Sequence, residues 1–311
     1  MGTNSAEITV IVPVYNVEQY VAQCIESLLM QTVPTNIIVI DDGSTDESGK
    51  ICDQFSKYDN VIVKHIANGG VSKARNLGIN MAKTQYISFV DADDYVMENH
   101  LECLFEMIKS EPHCLPVVGY TQDEFELGKN KESYVISKKR ADIVFDHMLN
   151  YEGYDGYLWN KLFKRDILIS NNIYFPEGIK IWEDMFFVEK YLKHINLVVE
   201  SNSITYFYRP NNTGATYLLS KDKMKSKIEV TDKFLELSES EKSFFHKTVI
   251  SLKRVCIMEF LIRTKDFNNN YYQNLNTLIR DSKDITIKEY AKYCYITILY
   301  IIAKCSIVLR K

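Results

Sequence analysis

Asp91 and Asp93, with Ala92 between them, follow directly on the apolar run at residues 86–90. An acid pair at the end of a buried strand presents hard oxygen donors to a divalent cation, which takes one or two protein carboxylates while substrate phosphates complete its shell. Without a cation the two charges repel, so a purely passive role costs energy. A second acidic pair, Glu183 and Asp184, lies between Trp182 and the apolar run Met185-Phe186-Phe187-Val188. Carboxylates flanked by aromatic rings are partly desolvated, which raises their pKa and suits them to take up a proton. The competing reading is a helix N-terminal pair that favours the macrodipole.

The elements that position these groups follow from hydrophobic period. Apolar runs at 8–14, 37–40, 61–65 and 86–90 read as strands, and amphipathic stretches between them read as helices, giving β-α-β-α-β-α-β. Asn16 with Gln19, and Ser44 with Glu47, have capping-box spacing, which predicts helices from Asn16 to about Met30 and from Ser44 to about Tyr58; a third runs from Val71 to Ala82. An open α/β sheet binds ligands outside the carboxyl ends of its strands. Those ends carry Pro13-Val14-Tyr15-Asn16, Asp41-Asp42, Asn68 and Asp91-Ala92-Asp93. Each taken singly is loop polarity or a cap; together they crowd one rim. Neither GxGxxG nor a Walker loop occurs, so phosphates must be held another way.

From about Leu101 the pattern changes to longer helical stretches with strand-like pieces at 115–120 and 203–208, and after about Ser220 it is wholly helical. The expected division is 1–215, in two parts at 1–100 and 101–215, followed by a helical region at 216–311.

Composition narrows the class. The 311 residues are 46% hydrophobic and 25% charged, with 12 Gly and 6 Pro, which supports a packed core and excludes a disordered chain. A formal net charge of -4 argues against nucleic-acid binding through a general basic surface. The seven Cys contain no CxxC pair and read as buried thiols in a reducing compartment. The six His lack metal-ligand spacing and read as solvated or packing residues. No basic segment followed by an apolar one opens the chain, so a cytoplasmic location is expected.

Val12-Pro13-Val14-Tyr15-Asn16, Ile40-Asp41-Asp42-Gly43-Ser44-Thr45-Asp46, Asn68-Gly69-Gly70-Val71-Ser72-Lys73-Ala74-Arg75-Asn76 and Phe89-Val90-Asp91-Ala92-Asp93-Asp94 resemble the successive signatures of family 2 glycosyltransferases with the GT-A fold. Leu158-Trp159-Asn160-Lys161-Leu162-Phe163 followed by Trp182-Glu183-Asp184 is similar to the later part of bacterial polysaccharide-synthesis members. The resemblance implies a mixed, mostly parallel Rossmann-like sheet flanked by helices, and an inverting transfer from a nucleotide diphosphate sugar, usually UDP-linked, to an acceptor hydroxyl.

On that resemblance Pro13, Tyr15 and Asp41 line the base pocket, and Asn68 and Arg75 hold the base or the diphosphate. Asp91 faces the ribose or the metal, Ala92 lies between the two acids, and Asp93 ligates Mn2+ or Mg2+. Asp184 is the base, with Glu183 as the fallback. Trp159, Asn160, Lys161 and Trp182 are candidates for the acceptor pocket, with core packing as the other reading of the Trp159 segment. Tyr206-Phe207-Tyr208-Arg209 is placed near the donor diphosphate or at a sheet edge.

The segment from Ile285 to Lys311 is aromatic and aliphatic, with Lys288, Lys292, Lys304, Arg310 and Lys311 against the single Glu289. It suits peripheral contact with an anionic inner leaflet, where a lipid-linked acceptor would sit, or a helix packed on the chain or on a second subunit. The alternatives to a transferase are a non-catalytic sugar-nucleotide-binding or membrane scaffold protein and a sugar-phosphate nucleotidyltransferase.

Overall fold

The computed structural model describes residues 6–128, 135–148, 156–210, 220–238, 244–267, 270–281 and 285–308. They fall into two compact units: the first takes the described residues up to Met148 and within Gly153–Gly178 and Glu183–Asn212, the second takes Ile179–Trp182 and those from Ser220 on. The boundary expected at residue 215 lies outside the described residues.

In the first unit β1 (Ile8–Val14), β2 (Thr35–Asp41), β3 (Val61–His65), β4 (Tyr86–Phe89) and β8 (Leu162–Lys164) form a sheet in the order β3-β2-β1-β4-β8. β1 runs parallel to β2 and β4, β2 runs parallel to β3, and β8 joins antiparallel. Near-continuous apolar runs are what strands covered on both faces require. Val10 and Val12 belong to one apolar cluster with α1 (Val21–Leu29) and α4 (His100–Ser110); Ile11 belongs to another with α3 (Val71–Met81) and α7 (Glu183–Leu192). Gly78 lets α3 lie on β1, because a Cβ there would stand 2.4 Å from Ile11 Cγ2.

A second sheet in this unit has the order β5-β9-β6, from β5 (Tyr95–Val96), β6 (Cys114–Thr121) and β9 (Leu197–Phe207), with β7 (Val135–Arg140) also pairing with β9. The strand expected at 203–208 is the second half of β9. The remaining helices of this unit are α2 (Ser48–Asp53), α5 (Ala141–Met148) and α6 (Arg165–Ser170).

Both expected capping boxes are corrected. α1 begins at Val21 after Tyr20, and α2 begins at Ser48 after Glu47 and ends at Asp53, before a 3-10 turn at Gln54–Lys57. Asn16 instead adopts a φ of 51°, accepts the Thr45 N–H at 2.8 Å and donates its own N–H to Ser44 Oγ at 3.1 Å. Short polar side chains compete with helical hydrogen bonding, and here they clasp the ends of β1 and β2 together.

The second unit contains α8 (Lys221–Leu237), α9 (Phe244–Thr264), α10 (Tyr271–Arg280) and α11 (Ile287–Val308), packed around Ile228, Ile257, Phe260, Leu261, Leu275 and Ile296. Arg254, 3% exposed, stands 3.3 Å from Glu289 Oε1, and Glu289 Oε2 accepts the Thr286 N–H at 2.8 Å. Breaking a buried pair from one side leaves an uncompensated charge. Arg254→Ala is therefore expected to cost about 3 kcal/mol, read as a lower midpoint in thermal denaturation.

Among the described residues no helix is long and apolar enough to cross a membrane. Cys24, Cys52, Cys103, Cys114 and Cys256 are buried as expected, but Cys294 on α11 is exposed. The rest of the basic C-terminal expectation, Arg310 and Lys311, lies outside the described residues.

Candidate active site

The rim of the first sheet is built from loop groups that hold one another. Asp41, the last residue of β2, is 4% exposed. Its Oδ1 accepts the Ser44 N–H at 3.0 Å, and its Oδ2 lies 2.7 Å from His65 Nδ1. Burial alone would raise this carboxyl; the hydrogen bonds from Ser44 and His65 outweigh it and hold the carboxyl below the ordinary range. Asp42 accepts the Gly69 and Gly70 N–H groups at 2.8 Å each, which fixes the entry to α3. Gly43 has a φ of 71°, and a Cβ on it would stand 2.8 Å from the Asn68 nitrogen. Asn68 itself is exposed, Tyr15 is 49% exposed and Pro13 is half-buried.

Asp91 and Asp93 are half-buried just beyond β4, with Ala92 buried between them. The Asp91 N–H donates to the Tyr206 hydroxyl at 3.3 Å, and Asp91 Oδ1 accepts from Arg75 Nη2 at 2.9 Å. Arg75 Nη1 donates to Glu183 Oε1 at 3.0 Å, and the guanidinium lies 5.3 Å over the Phe175 ring. Arg75, expected at the base or diphosphate, is 5% exposed, and its terminal nitrogens lie on two carboxylates of the chain itself.

Sequence reasoning missed the work of Asp94. At 1% exposure its Oδ2 accepts the Tyr206 O–H at 2.7 Å and its Oδ1 accepts the Arg209 N–H at 2.8 Å. Burial, then the charges of Asp91 and Asp93, push its carboxyl up to about 8. Arg209 Nε donates to the Asp93 carbonyl at 2.8 Å, and its guanidinium lies 4.6 Å over the Tyr20 ring. The acid run is thus pinned from β9. The only sequence signal for this was a third Asp beside the pair, with partners more than a hundred residues away.

Glu183 and Asp184 open α7. Glu183 is buried on Arg75, whereas Asp184 is partly exposed and its Oδ1 accepts the Met185 N–H at 2.7 Å. Burial, then the neighbouring Glu183 charge, push Asp184 up to about 7 against the opposing pull of Arg75. Trp182, with a φ of 66°, belongs to the second unit, where Lys227 Nζ stands 4.9 Å over its ring.

At 159–161 the core-packing reading is the one the burial supports. Trp159 is 3% exposed, stacked at 4.2 Å on Tyr206 and at 4.8 Å on Tyr157, so its ring faces are covered by core aromatics. Asn160 donates to the Val118 carbonyl at 3.0 Å, and Lys161, 1% exposed, donates to the Tyr157 carbonyl at 2.7 Å. These side chains turn inward because an apolar segment crossing between the sheets must satisfy its polar groups internally.

The donor set fits a hard divalent cation. Asp91 and Asp93 offer carboxylate oxygen, and their negative field is strong enough to contribute to the shift at Asp94. Among the described residues no group of three or more His, Cys, Asp or Glu is placed to hold a metal ion. A cation held by these two carboxylates would fill the rest of its shell with water or with substrate phosphate oxygens.

A mostly parallel sheet with acids gathered at its carboxyl rim is the GT-A glycosyltransferase arrangement. Residues 9–170 match Glycosyl transferase family 2, and the chain belongs to that family. It is 33% identical over 232 residues to the uncharacterized glycosyltransferase EpsJ of Bacillus subtilis, covering 71% of this chain and 66% of EpsJ. It is also 33% identical over 215 residues to the poly(ribitol-phosphate) beta-glucosyltransferase of Bacillus spizizenii, covering 67% of this chain and 33% of that protein, so it spans only about a third of that relative's length. The fold resembles S. aureus TarS 1-349 in complex with UDP-GlcNAc, with a TM-score of 0.62 at 20% identity, over 93% of this chain and 79% of that one. Family membership sets the chain among glycosyltransferases rather than sugar-phosphate nucleotidyltransferases.

Proposed function

We propose that the chain moves a sugar, with inversion, from a UDP-linked donor to a hydroxyl of a saccharide acceptor in surface polysaccharide synthesis. The observation that carries this reading is Asp184, a carboxyl pushed up to about 7 beside Glu183, which Arg75 ties to Asp91 on the donor side. A base poised near neutrality both takes a proton readily and is ionised often enough to act.

The acceptor oxygen attacks the anomeric carbon from the face opposite the diphosphate and passes its proton to Asp184. The bond from that carbon to the phosphate oxygen breaks, and its electron pair leaves with UDP. Pro13, Tyr15 and Asp41 line the nucleobase, with Asp41 accepting from the uracil imide and Asn68 near the base or diphosphate. Asp91 faces the ribose or cation, and Asp93 would hold Mn2+ or Mg2+. When bound, that cation neutralises charge building on the departing diphosphate. Arg75 keeps Glu183 and Asp91 in place rather than touching donor.

A thermal-shift screen of sugar nucleotides tests the donor class. UDP-sugars are expected to raise the melting midpoint in a Mn2+-dependent way, since ligand linkage stabilises in proportion to the logarithm of occupancy. A GDP-sugar giving the larger shift would overturn the uracil assignment.

The basic, aromatic α11 supports a reversible seat on an anionic leaflet beside a lipid-linked acceptor. Tyr290, Tyr295 and Ile298 are 54%, 52% and 56% exposed, and Lys288 and Lys292 are exposed on the same helix. Each basic residue near such a surface contributes on the order of 1 kcal/mol. The double variant Lys288→Glu, Lys292→Glu is expected to leave anionic vesicles at low salt while donor hydrolysis persists. Unchanged vesicle binding, or a dimer lost in the same variant, would favour a subunit interface.

A further inference from the structure

His65 was expected to be a solvated or packing residue, yet both of its ring nitrogens face carboxylates. Nδ1 lies 2.7 Å from Asp41 Oδ2, and Nε2 lies 2.9 Å from Asp53 Oδ1. The register of the sheet produces this, because Asp41 and His65 are paired residues at the ends of β2 and β3, while Asp53 comes from the last turn of α2. The space is reserved: a Cβ on Gly49 of α2 would stand 2.9 Å from Asp41 Oδ2 and 3.5 Å from His65 Cε1. With Ser44 N–H on Oδ1 and His65 on Oδ2, the plane of the buried Asp41 carboxylate is fixed from both sides.

We propose that His65 is a positioning residue for nucleobase recognition: by gripping Asp41 through Nδ1, it sets which carboxylate lone pairs of Asp41 are turned toward the donor's imide N–H. This rests on the reading of Asp41 as the nucleobase contact. The grip has chemical logic. A carboxylate reads a uracil imide only as an acceptor, and an acceptor held in one plane loses less rotational freedom on binding than a swinging one. Asp53 supports the grip at the far nitrogen, and the charged groups facing the ring are these two acids, from β2 and α2. Hydrogen bonds from the ring, first to Asp41 and then to Asp53, raise the imidazole above its ordinary pKa, so the imidazolium that satisfies both acids persists to higher pH than an exposed histidine would. As pH rises through that raised value one N–H is lost.

The test compares UDP with CDP, which lacks the imide N–H, by calorimetry on the full chain with Mn2+ present. His65→Leu is expected to lower the UDP preference over CDP roughly tenfold, the effect of one hydrogen bond to a charged group. His65→Asn, whose amide nitrogen falls near the Nδ1 position, is expected to restore most of that preference. A role in stability alone would lower the melting midpoint of both variants and leave the UDP to CDP ratio unchanged. Asp41→Asn separates the two readings. If it reduces the ratio while His65→Leu and His65→Asn do not, the positioning role is wrong and the nucleobase reading stands; if neither Asp41→Asn nor His65→Leu moves the ratio, the nucleobase reading itself has failed.

Discussion

Asp93→Ala is expected to abolish the dependence of UDP binding on a divalent cation. Asp93 stands beyond β4 with Asp91 before it and Asp94 after it, and its carbonyl is fixed by Arg209. Asp91 and Asp93 form a negative field whose effect is visible at Asp94, and a diphosphate brought near it without a cation meets repulsion. In the wild type, EDTA should weaken UDP binding by at least about tenfold, the low end of what disturbing a metal site costs. The Asp93→Ala variant should bind UDP as weakly in Mn2+ as in EDTA. Calorimetry giving wild-type affinity for the variant in EDTA would remove Asp93 from the cation site.

Asp184→Asn is expected to separate binding from chemistry. Donor affinity should stay near wild type, while turnover falls at least roughly 10²-fold, the usual contribution of a positioned general base. The pH dependence has a definite sign. Because Asp184 is held up to about 7, wild-type turnover should rise with pH and level off above that value as the carboxylate forms. The same shift opposes stability. An unfolded Asp ionises near about 3.9, so between that pH and about 7 the native state holds the extra proton and stability from this group falls as pH rises. Asp184→Asn should therefore be at least as stable as wild type at pH 8 while being far less active. If Glu183→Gln is inactive and Asp184→Asn retains full transfer, the base moves to Glu183. Arg75 argues against that outcome, since it already binds Glu183 at 3.0 Å.

The first hundred residues were legible because their chemistry is local. Each buried parallel strand is a continuous apolar run, and each site group follows its strand within a few residues, so Asp41, Asn68, Asp91 and Asp93 could be placed on one rim before any coordinates. What escaped was long-range. Nothing in the spacing of Arg75 and Glu183 shows that a guanidinium will join residues 108 apart, and the motif position of Arg75 pointed outward toward ligand. Asp94 looked like a surplus acid because its partners, Tyr206 and Arg209, arrive on β9 and just after it. The capping boxes failed for a physical reason: Ser44 had the Asn16 backbone N–H within reach and Asn16 had that of Thr45, which a one-dimensional pattern does not show. Trp159 was ambiguous in sequence because an aromatic that stacks on a sugar and one that stacks on Tyr206 have the same neighbours along the chain.

The central claim is inverting transfer from a UDP-linked sugar at this rim, and the stereochemistry of the product tests it most directly. Proton NMR of the first product formed from an α-linked UDP-sugar, recorded before mutarotation of any hydrolysed sugar, reads the new anomeric bond. In-line attack assisted by Asp184 predicts a β product in the wild type, with the same product formed at least about 10²-fold more slowly by Asp184→Asn. An α product, or transfer at the wild-type rate by that variant, would contradict the account.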